Sequence, residues 1–458
     1  MEITFIGATR TVTGSMHLFE YNKKKFLIEC GLYQGHRSEA ERINRTFPFK
    51  PREIECVILS HAHLDHSGNL PSLIKRNFRG EIYCTAATKD ITELVLLDSA
   101  HLQMNDIAYF NKKQRKAGLP TKEPLYTVED AEDTLKYFKT INYHNEFEPV
   151  DGVSMIFYDA GHILGSAQIL IEDNDKRILF SGDLGRNNMP IIRDPEIPEE
   201  IDCLILESTY GSRIHSSFEQ MTDELKQIIL EGKEKKGKII IPAFAVERTQ
   251  VLVTMLKRLY EDGIIKNIPI YIDSPLATSV TEVFARHPEC FDEETYKKFI
   301  KEEPFDFPGL IYIKNIEESK SLNEKNGPMI IISASGMCEG GRVLHHLIHS
   351  IEDEKNIIIL TGFQASGTLG RKILDGYKEV FIFDTKFYVN AKVYFMAGLS
   401  AHADSNDLIE FVKKVKNHRL KKVFLIHGEI TEAVALKERI ESLGIETEIP
   451  ESMTSVVL

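Results

Sequence analysis

The chain has 458 residues, 42% hydrophobic and 27% charged, with a formal net charge of −13. This composition is ordinary for a soluble globular protein and excludes disordered and collagenous classes. The longest apolar runs, such as Ile239 to Val246, fall far short of the ~20 residues a membrane-spanning helix needs. A prior of about 150 residues per domain gives two or three domains. Met1 leads straight into a strand-like run, so no secretory leader is expected and the protein is expected to be cytoplasmic. The negative charge counts weakly against a nucleic-acid partner, although a basic strip or bound metal ions can reverse the field locally. Six scattered cysteines form no C-x-x-C pair, which excludes a zinc ribbon; they are expected to be reduced and mostly buried.

From the N-terminus, short apolar and β-branched runs predict strands at Ile3–Gly7, Met16–Tyr21, Phe26–Glu29, Cys56–Ser60 and Glu81–Thr85. Apolar residues at helical spacing predict a long helix from Lys89 to Lys113. Strands follow at Ser154–Asp159, Ala167–Glu172, Arg177–Ser181 and Cys203–Leu206. Their quick succession suits antiparallel sheets. After about residue 207 the texture changes. Ile239–Ile241, Ile268–Ile272, Met329–Ile332, Ile357–Leu360 and Val380–Phe383 are nearly continuous apolar runs with helices between them. Buried parallel strands have this pattern. The C-terminal stretch reads as a helix, a strand at Val423–Ile426 and a final helix. Two differently built α/β units are therefore expected.

The most informative stretch is His61-Ala62-His63-Leu64-Asp65-His66, directly after the apolar run Cys56–Leu59. A strand-end loop presents ligands on a rigid frame. Three histidines and an aspartate at this spacing suit zinc, and suit iron or manganese less well. His61 and His63 can face one metal while Asp65 and His66 face a second. The plain alternative, a polar loop with solvent-facing histidines, fits poorly with a motif so dense after a buried strand. His162, in Ala160-Gly161-His162-Ile163-Leu164-Gly165, and Asp183, in Ser181-Gly182-Asp183-Leu184-Gly185, also stand at strand ends. Either alone reads as a turn residue; together, in this order, they read as the remaining ligands.

This set resembles the signature of the metallo-β-lactamase superfamily, H-x-H-x-D-H followed by a His and an Asp. The resemblance implies an α/β (α+β) fold, an αββα sandwich, with two Zn2+ ions bridged by Asp183. One ion would take His61, His63, His162 and Asp183; the other would take Asp65, His66, Asp183 and a further histidine. Beyond Asp183, Leu206-Glu207-Ser208-Thr209-Tyr210-Gly211 looks like motif A of the β-CASP nucleases. Leu399-Ser400-Ala401-His402-Ala403-Asp404 looks like motif B, and Ile426-His427-Gly428-Glu429 like motif C. The stretches ending at Arg248, Arg342 and Arg371 also resemble β-CASP segments. The resemblance spans essentially the whole chain. A histidine at motif C places it nearest the RNA-processing branch, the endonuclease subunit of messenger-RNA 3′-end processing and its compact prokaryotic relatives. It implies a metallo-β-lactamase domain in two parts, residues 1–207 and 391–458, and an inserted α/β β-CASP domain, residues 208–390. The active site would lie in the cleft between them, a slot suited to single-stranded RNA. Two departures stand out: Glu29 where Asp is usual, and Glu247 where a small residue is common.

The implied reaction is zinc-dependent hydrolysis of RNA phosphodiester bonds, expected to be endonucleolytic and to leave 5′-phosphate and 3′-hydroxyl ends. Two metals ~3.5–4 Å apart can activate water and neutralise the phosphate, with Asp65 orienting that water. His402 is expected to protonate the leaving oxygen, kept cationic by Glu207. Its alternative is a polar residue at a helix start, part of a capping box. Ser400 would reach a phosphate oxygen. His427 is the candidate last ligand of the second metal, against a strand-end turn. Arg248, Arg342 and Arg371 suit phosphate contacts, against ordinary salt bridges. Lys112–Lys116, Lys233–Lys238 and His418–Lys422 read as solvated helix faces, and His345, His346 and His349 as structural. The expected partner is single-stranded RNA, with no membrane; a homodimer stays open. Rival readings are a 5′-3′ exoribonuclease, a small ester, thioester or lactam hydrolase, and a metal-free RNA-binding scaffold.

Overall fold

The computed structural model describes residues 1–458 apart from His36, Asn174, Asp175, Glu302, Phe363 and Ser366. The chain divides into two compact units. The first holds residues 1–187, 194–214 and 402–458; the second holds residues 188–193 and 215–401. Among the described residues no helix is long and apolar enough to cross a membrane.

The first unit contains two seven-stranded sheets. One runs in the order Thr454–Val457, Glu2–Phe5, His17–Tyr21, Lys24–Ile28, Ile54–Ile58, Glu81–Cys84, Phe138–Thr140. The other runs Glu446–Glu448, Lys422–Ile426, Cys203–Glu207, Arg177–Phe180, Ala167–Glu172, Val153–Asp159, Glu146–Val150. Strand side chains alternate between faces, and here both faces are buried. Ile169, Ile171, Ile205 and Phe424 turn inward to meet Phe5, Phe19, Ile28 and Ile58 of the facing sheet. Leu170, Leu204, Leu206 and Leu425 turn outward and pack under the helices Ser405–Val415 and Ile430–Glu441. On the opposite side Leu27, Val57 and Ile82 lie under Leu70, Leu73 and Ile74. Helices thus cover both outer faces, giving the αββα sandwich. The first sheet is mixed rather than antiparallel: from Lys24–Ile28 to Phe138–Thr140 its pairs are parallel. Helical crossovers join those strands, and parallel pairing requires such crossovers.

The second unit is built on a six-stranded sheet in the order Leu310–Tyr312, Ile270–Ile272, Met329–Ser333, Lys238–Pro242, Ile357–Thr361, Lys392–Met396. All its pairs are parallel. The expected domain boundary at 390/391 falls just before Lys392–Met396, which this sheet holds against Ile357–Thr361. The boundary at 207/208 precedes a turn tied to the first unit, where Ser208 Oγ donates to the Ile426 carbonyl.

Three further readings need correction. Val380–Phe383 is no buried parallel strand; Glu379–Ile382 and Thr385–Tyr388 form a separate antiparallel hairpin. Val380 and Ile382 are buried, but Phe381 is 66% exposed, so an apolar run concealed an ordinary alternation. The C-terminal stretch does not end on a helix, because Glu446–Glu448 and Thr454–Val457 follow it. Thr454–Val457 pairs with Glu2–Phe5 at the other end of the chain, which no local pattern reveals. The long helix also runs further than expected, from Ala86 to Lys116, with Thr85 as its N-cap.

Candidate metal centre

Three strands of the second sheet run parallel and side by side: Arg177–Phe180, Cys203–Glu207 and Lys422–Ile426. Their carboxyl ends bring Asp183, Glu207 and His427 together. Ile54–Ile58 of the facing sheet leads into His61 and His63, and Asp65 and His66 fall in the short helix Leu64–Ser67. His162 follows Val153–Asp159. Two glycines allow these loops to meet. A Cβ on Gly185 would lie 1.6 Å from the Gly161 carbonyl oxygen, and one on Gly31 would lie 1.6 Å from that of Asp65.

The donor atoms of His61, His63, His162 and Asp183 all lie within 4.8 Å of one another, as do those of Asp65, His66 and His427. In the first group His61 Nε2 is 3.1 Å from His63 Nδ1, which is 3.2 Å from His162 Nε2. Asp183 Oδ2 is 3.4 Å from His61 Nε2 and 3.6 Å from His162 Nε2. A tetrahedral zinc site with ~2.0–2.1 Å bonds spaces its donors about 3.3–3.4 Å apart, so this group fits such an ion. In the second group His66 Nε2 is 3.1 Å from His427 Nε2, and His427 Nε2 is 3.4 Å from Asp65 Oδ2. Asp183 Oδ2 is also 3.3 Å from His66 Nε2, so one carboxylate oxygen faces both groups.

Several partners aim these rings. Ser60 Oγ lies 2.9 Å from His61 Nδ1, and Thr209 Oγ1 lies 3.1 Å from His427 Nδ1. Glu29 accepts from the Ser60 N–H at 2.9 Å, and its other oxygen is 3.3 Å from His66 Nδ1. Engaging Nδ1 leaves Nε2 for the cluster. Glu29 and His427 both hold a left-handed backbone, with φ of 66° and 49°. That conformation is strained for residues with a Cβ and persists where surrounding structure imposes it.

The protons follow from the surroundings. Burial, with neighbouring histidines, holds His61 and His162 well below the ordinary imidazole range, and burial brings His63 to about 4. These rings are neutral, with a lone pair free for a metal. Burial also works against a charge on His66, but Asp183, Asp65 and Glu29 outweigh it and hold it well above the usual value. A cation arriving there competes with that proton. Asp183 is buried, yet the surrounding histidines hold it well below the usual carboxylate range.

His402 stands beside the cluster, paired with Gly185 by an isolated antiparallel bridge. Its Nδ1 is 3.0 and 3.1 Å from the two oxygens of buried Glu207, and its Nε2 is 3.9 Å from Asp183 Oδ2. Glu207 is itself fixed by N–H donation from Leu184 and Thr209. The capping box at this helix joins Asp404 and Asp407, and His402 precedes it in non-helical backbone. Ser400 and His402 therefore take no part in the cap.

Ser400, Arg248, Arg342 and Arg371 belong to the second unit. Ser400 and Arg248 are buried. Arg342 donates to Asp273 at 2.6 Å, and Arg371 Nε donates to both oxygens of Asp375. His346 is buried against Asp273 and Asn323. All six cysteines are free and buried. Two supporting hydroxyls carry no sequence signal of their own: Ser60 directly precedes the H-x-H-x-D-H motif, and Thr209 lies within motif A.

An αββα sandwich with a His/Asp cluster at its strand ends defines a metallo-β-lactamase fold. Family profiles agree: a metallo-beta-lactamase superfamily domain matches residues 18–188, a Beta-Casp domain residues 249–373, and a Zn-dependent metallo-hydrolase RNA specificity domain residues 388–450. Ribonuclease TTHA0252 of Thermus thermophilus is 34% identical over 451 residues, 98% of each chain. An RNase J-like protein of Methanocaldococcus jannaschii is 33% identical, over 98% of this chain and 97% of its own. Cleavage and polyadenylation specificity factor 73 of Drosophila melanogaster is 30% identical, over 95% of this chain and 61% of its own. The chain belongs to the β-CASP family of the metallo-β-lactamase superfamily of metal-dependent hydrolases.

Proposed function

We propose that the protein is a zinc-dependent endoribonuclease that holds two Zn2+ ions and cleaves single-stranded RNA. The observation that carries this reading is the pair of His/Asp donor groups facing one Asp183 oxygen, with His402 held beside them by Glu207. The names of the relatives support RNA as the substrate. His61, His63, His162 and Asp183 would hold one ion; Asp65, His66, His427 and the shared Asp183 would hold the other. Bound there, the ions supply charge neutralisation for the phosphate and make a nearby water more acidic.

The protein's own groups do the rest. Asp65 is partly exposed beside His427 and would orient the attacking water. His402 keeps its Nδ1 proton on Glu207 and presents the Nε2 proton to the leaving 3′-oxygen. Cleavage then leaves a 5′-phosphate and a 3′-hydroxyl. Ser400, Arg248, Arg342 and Arg371 would bind the RNA backbone; Arg342 and Arg371 would first release their carboxylate partners. The test is to strip the protein with a chelator, restore zinc, and follow an end-labelled single-stranded RNA. Cleavage lost on stripping and regained with zinc, with 3′-hydroxyl ends, is expected. Full cleavage by the stripped protein would contradict the proposal.

A further inference from the structure

The helix Ala86–Lys116 continues well past the fold on which it packs. Its buried residues stop at Ala100, and residues 101–117 are half-buried or exposed throughout. At 1.5 Å per residue the tail runs about 24 Å beyond Ala100. The chain that returns from it braces it. Asn111 Nδ2 donates to the Lys122 carbonyl and the Lys122 N–H donates to Asn111 Oδ1, both at 2.8 Å. Lys122 Nζ lies over the Phe110 ring, and Arg45 donates to the Glu123 carbonyl.

This braced projection exposes Leu102, Met104, Leu119 and Tyr109, the last by 57%. Its charge is the reverse of the chain's. Residues 101–122 hold Lys112, Lys113, Arg115, Lys116 and Lys122 against one acid, Asp106, in a protein of net charge −13. Lys122 pairs with Glu41, and Lys113 lies over the Tyr109 ring. Lys112, Arg115 and Lys116 make no ion pair among the described residues. A helix C-terminus favours cations in its last turn. That accounts for part of the basic run, but not for Lys112 or for an exposed aromatic ring one turn before it.

We infer that this tail is an accessory docking surface for single-stranded RNA, an inference that rests on the ribonuclease reading. Lys112, Arg115 and Lys116 take backbone phosphates, and the exposed Tyr109 ring stacks on a base in exchange for its contact with Lys113. A strongly anionic chain repels RNA at long range, and a concentrated patch of cations reverses that field where the strand is to be held. The geometry sets a length requirement. The helix start is tied to the turn after His162, because the Thr85 and Thr88 hydroxyls donate to the Gly165 carbonyl. From Thr88 to Tyr109, the first of the four residues, the helix covers about 32 Å, and to Lys116 about 42 Å; the shorter distance sets the reach. A short RNA confined to the metal centre cannot reach the tail; a long one can.

The experiment compares the zinc-loaded wild type with the triple variant Lys112→Gln, Arg115→Gln, Lys116→Gln and with Tyr109→Ala. Each is given an oligonucleotide shorter than that reach and an unstructured transcript several times longer. Cleavage of the short RNA is expected to be unchanged. For the long RNA, the Kd of the triple variant rises roughly tenfold or more, and its log–log salt slope shrinks by about 2, three phosphates at ~0.7 each. In Tyr109→Ala the Kd rises roughly fivefold or more with the slope kept. Wild-type affinity and slope in both variants would overturn the inference. So would a change of oligomeric state with RNA affinity intact, which would assign this face to a second copy of the chain. Binding is read separately from cleavage: a wild type that binds the long RNA through the tail but cleaves neither RNA would sink the ribonuclease reading and leave the docking surface standing.

Discussion

Burial alone would strip the His402 ring of its proton. Glu207 and Asp183 outweigh burial and raise its pKa to about 9. The charged form therefore prevails below that value and is lost as pH rises through it. Cleavage that depends on this proton should fall on the same alkaline limb. Glu207→Gln removes a raising charge and should shift the limb to lower pH, as a pH–rate profile at saturating zinc would show; an unmoved limb would detach Glu207 from the proton. His402→Ala should lose a factor of roughly 10²–10⁴ in rate, the usual worth of a general acid, with bound zinc unchanged. Metal analysis of that variant matters, because His402 also groups with Asp183 and His427 as a possible ligand set. A drop in zinc would make it a ligand rather than an acid. The dense His61–His66 motif was legible in sequence because its donors are close along the chain. Thr209 and Ser60 were not, because a single hydroxyl near an imidazole has no spacing to recognise.

Parallel strands that end together do most of the assembly. Asp183, Glu207 and His427 sit far apart in sequence, yet neighbouring strands deliver all three to one edge. The last step is a close backbone approach, and Gly185 permits it. Gly185→Ala would drive a Cβ against the Gly161 carbonyl and push the Asp183 and His162 loops apart. A stability loss of about 1–3 kcal/mol or more is expected, together with fewer bound zinc equivalents. Thermal unfolding and metal analysis check both; a variant as stable and as metal-rich as wild type would refute the argument. The buried strands were legible because both faces of each sheet are covered and the runs are uniformly apolar. The hairpin Glu379–Ile382 with Thr385–Tyr388 was misread for the same reason. Its exposed face carries Phe381, which looks like core in sequence. The edge strand Thr454–Val457 was invisible because only its distant partner Glu2–Phe5 defines it.

For the whole molecule, the ligand motif and motifs A to C already carry the family resemblance in the sequence, and the fold and relatives agree with it. The charge of −13 pointed away from nucleic acid only as a total. Its distribution matters more, because the tail of the helix Ala86–Lys116 concentrates basic residues in one place. The mode of cleavage is the central claim. It is tested most directly by giving the zinc-loaded protein a circular single-stranded RNA, which has no end to begin from. Linearisation, absent in His402→Ala, is the expected result. An intact circle beside rapid loss of the matching 5′-phosphorylated linear RNA would contradict an endonuclease and establish cleavage from the end.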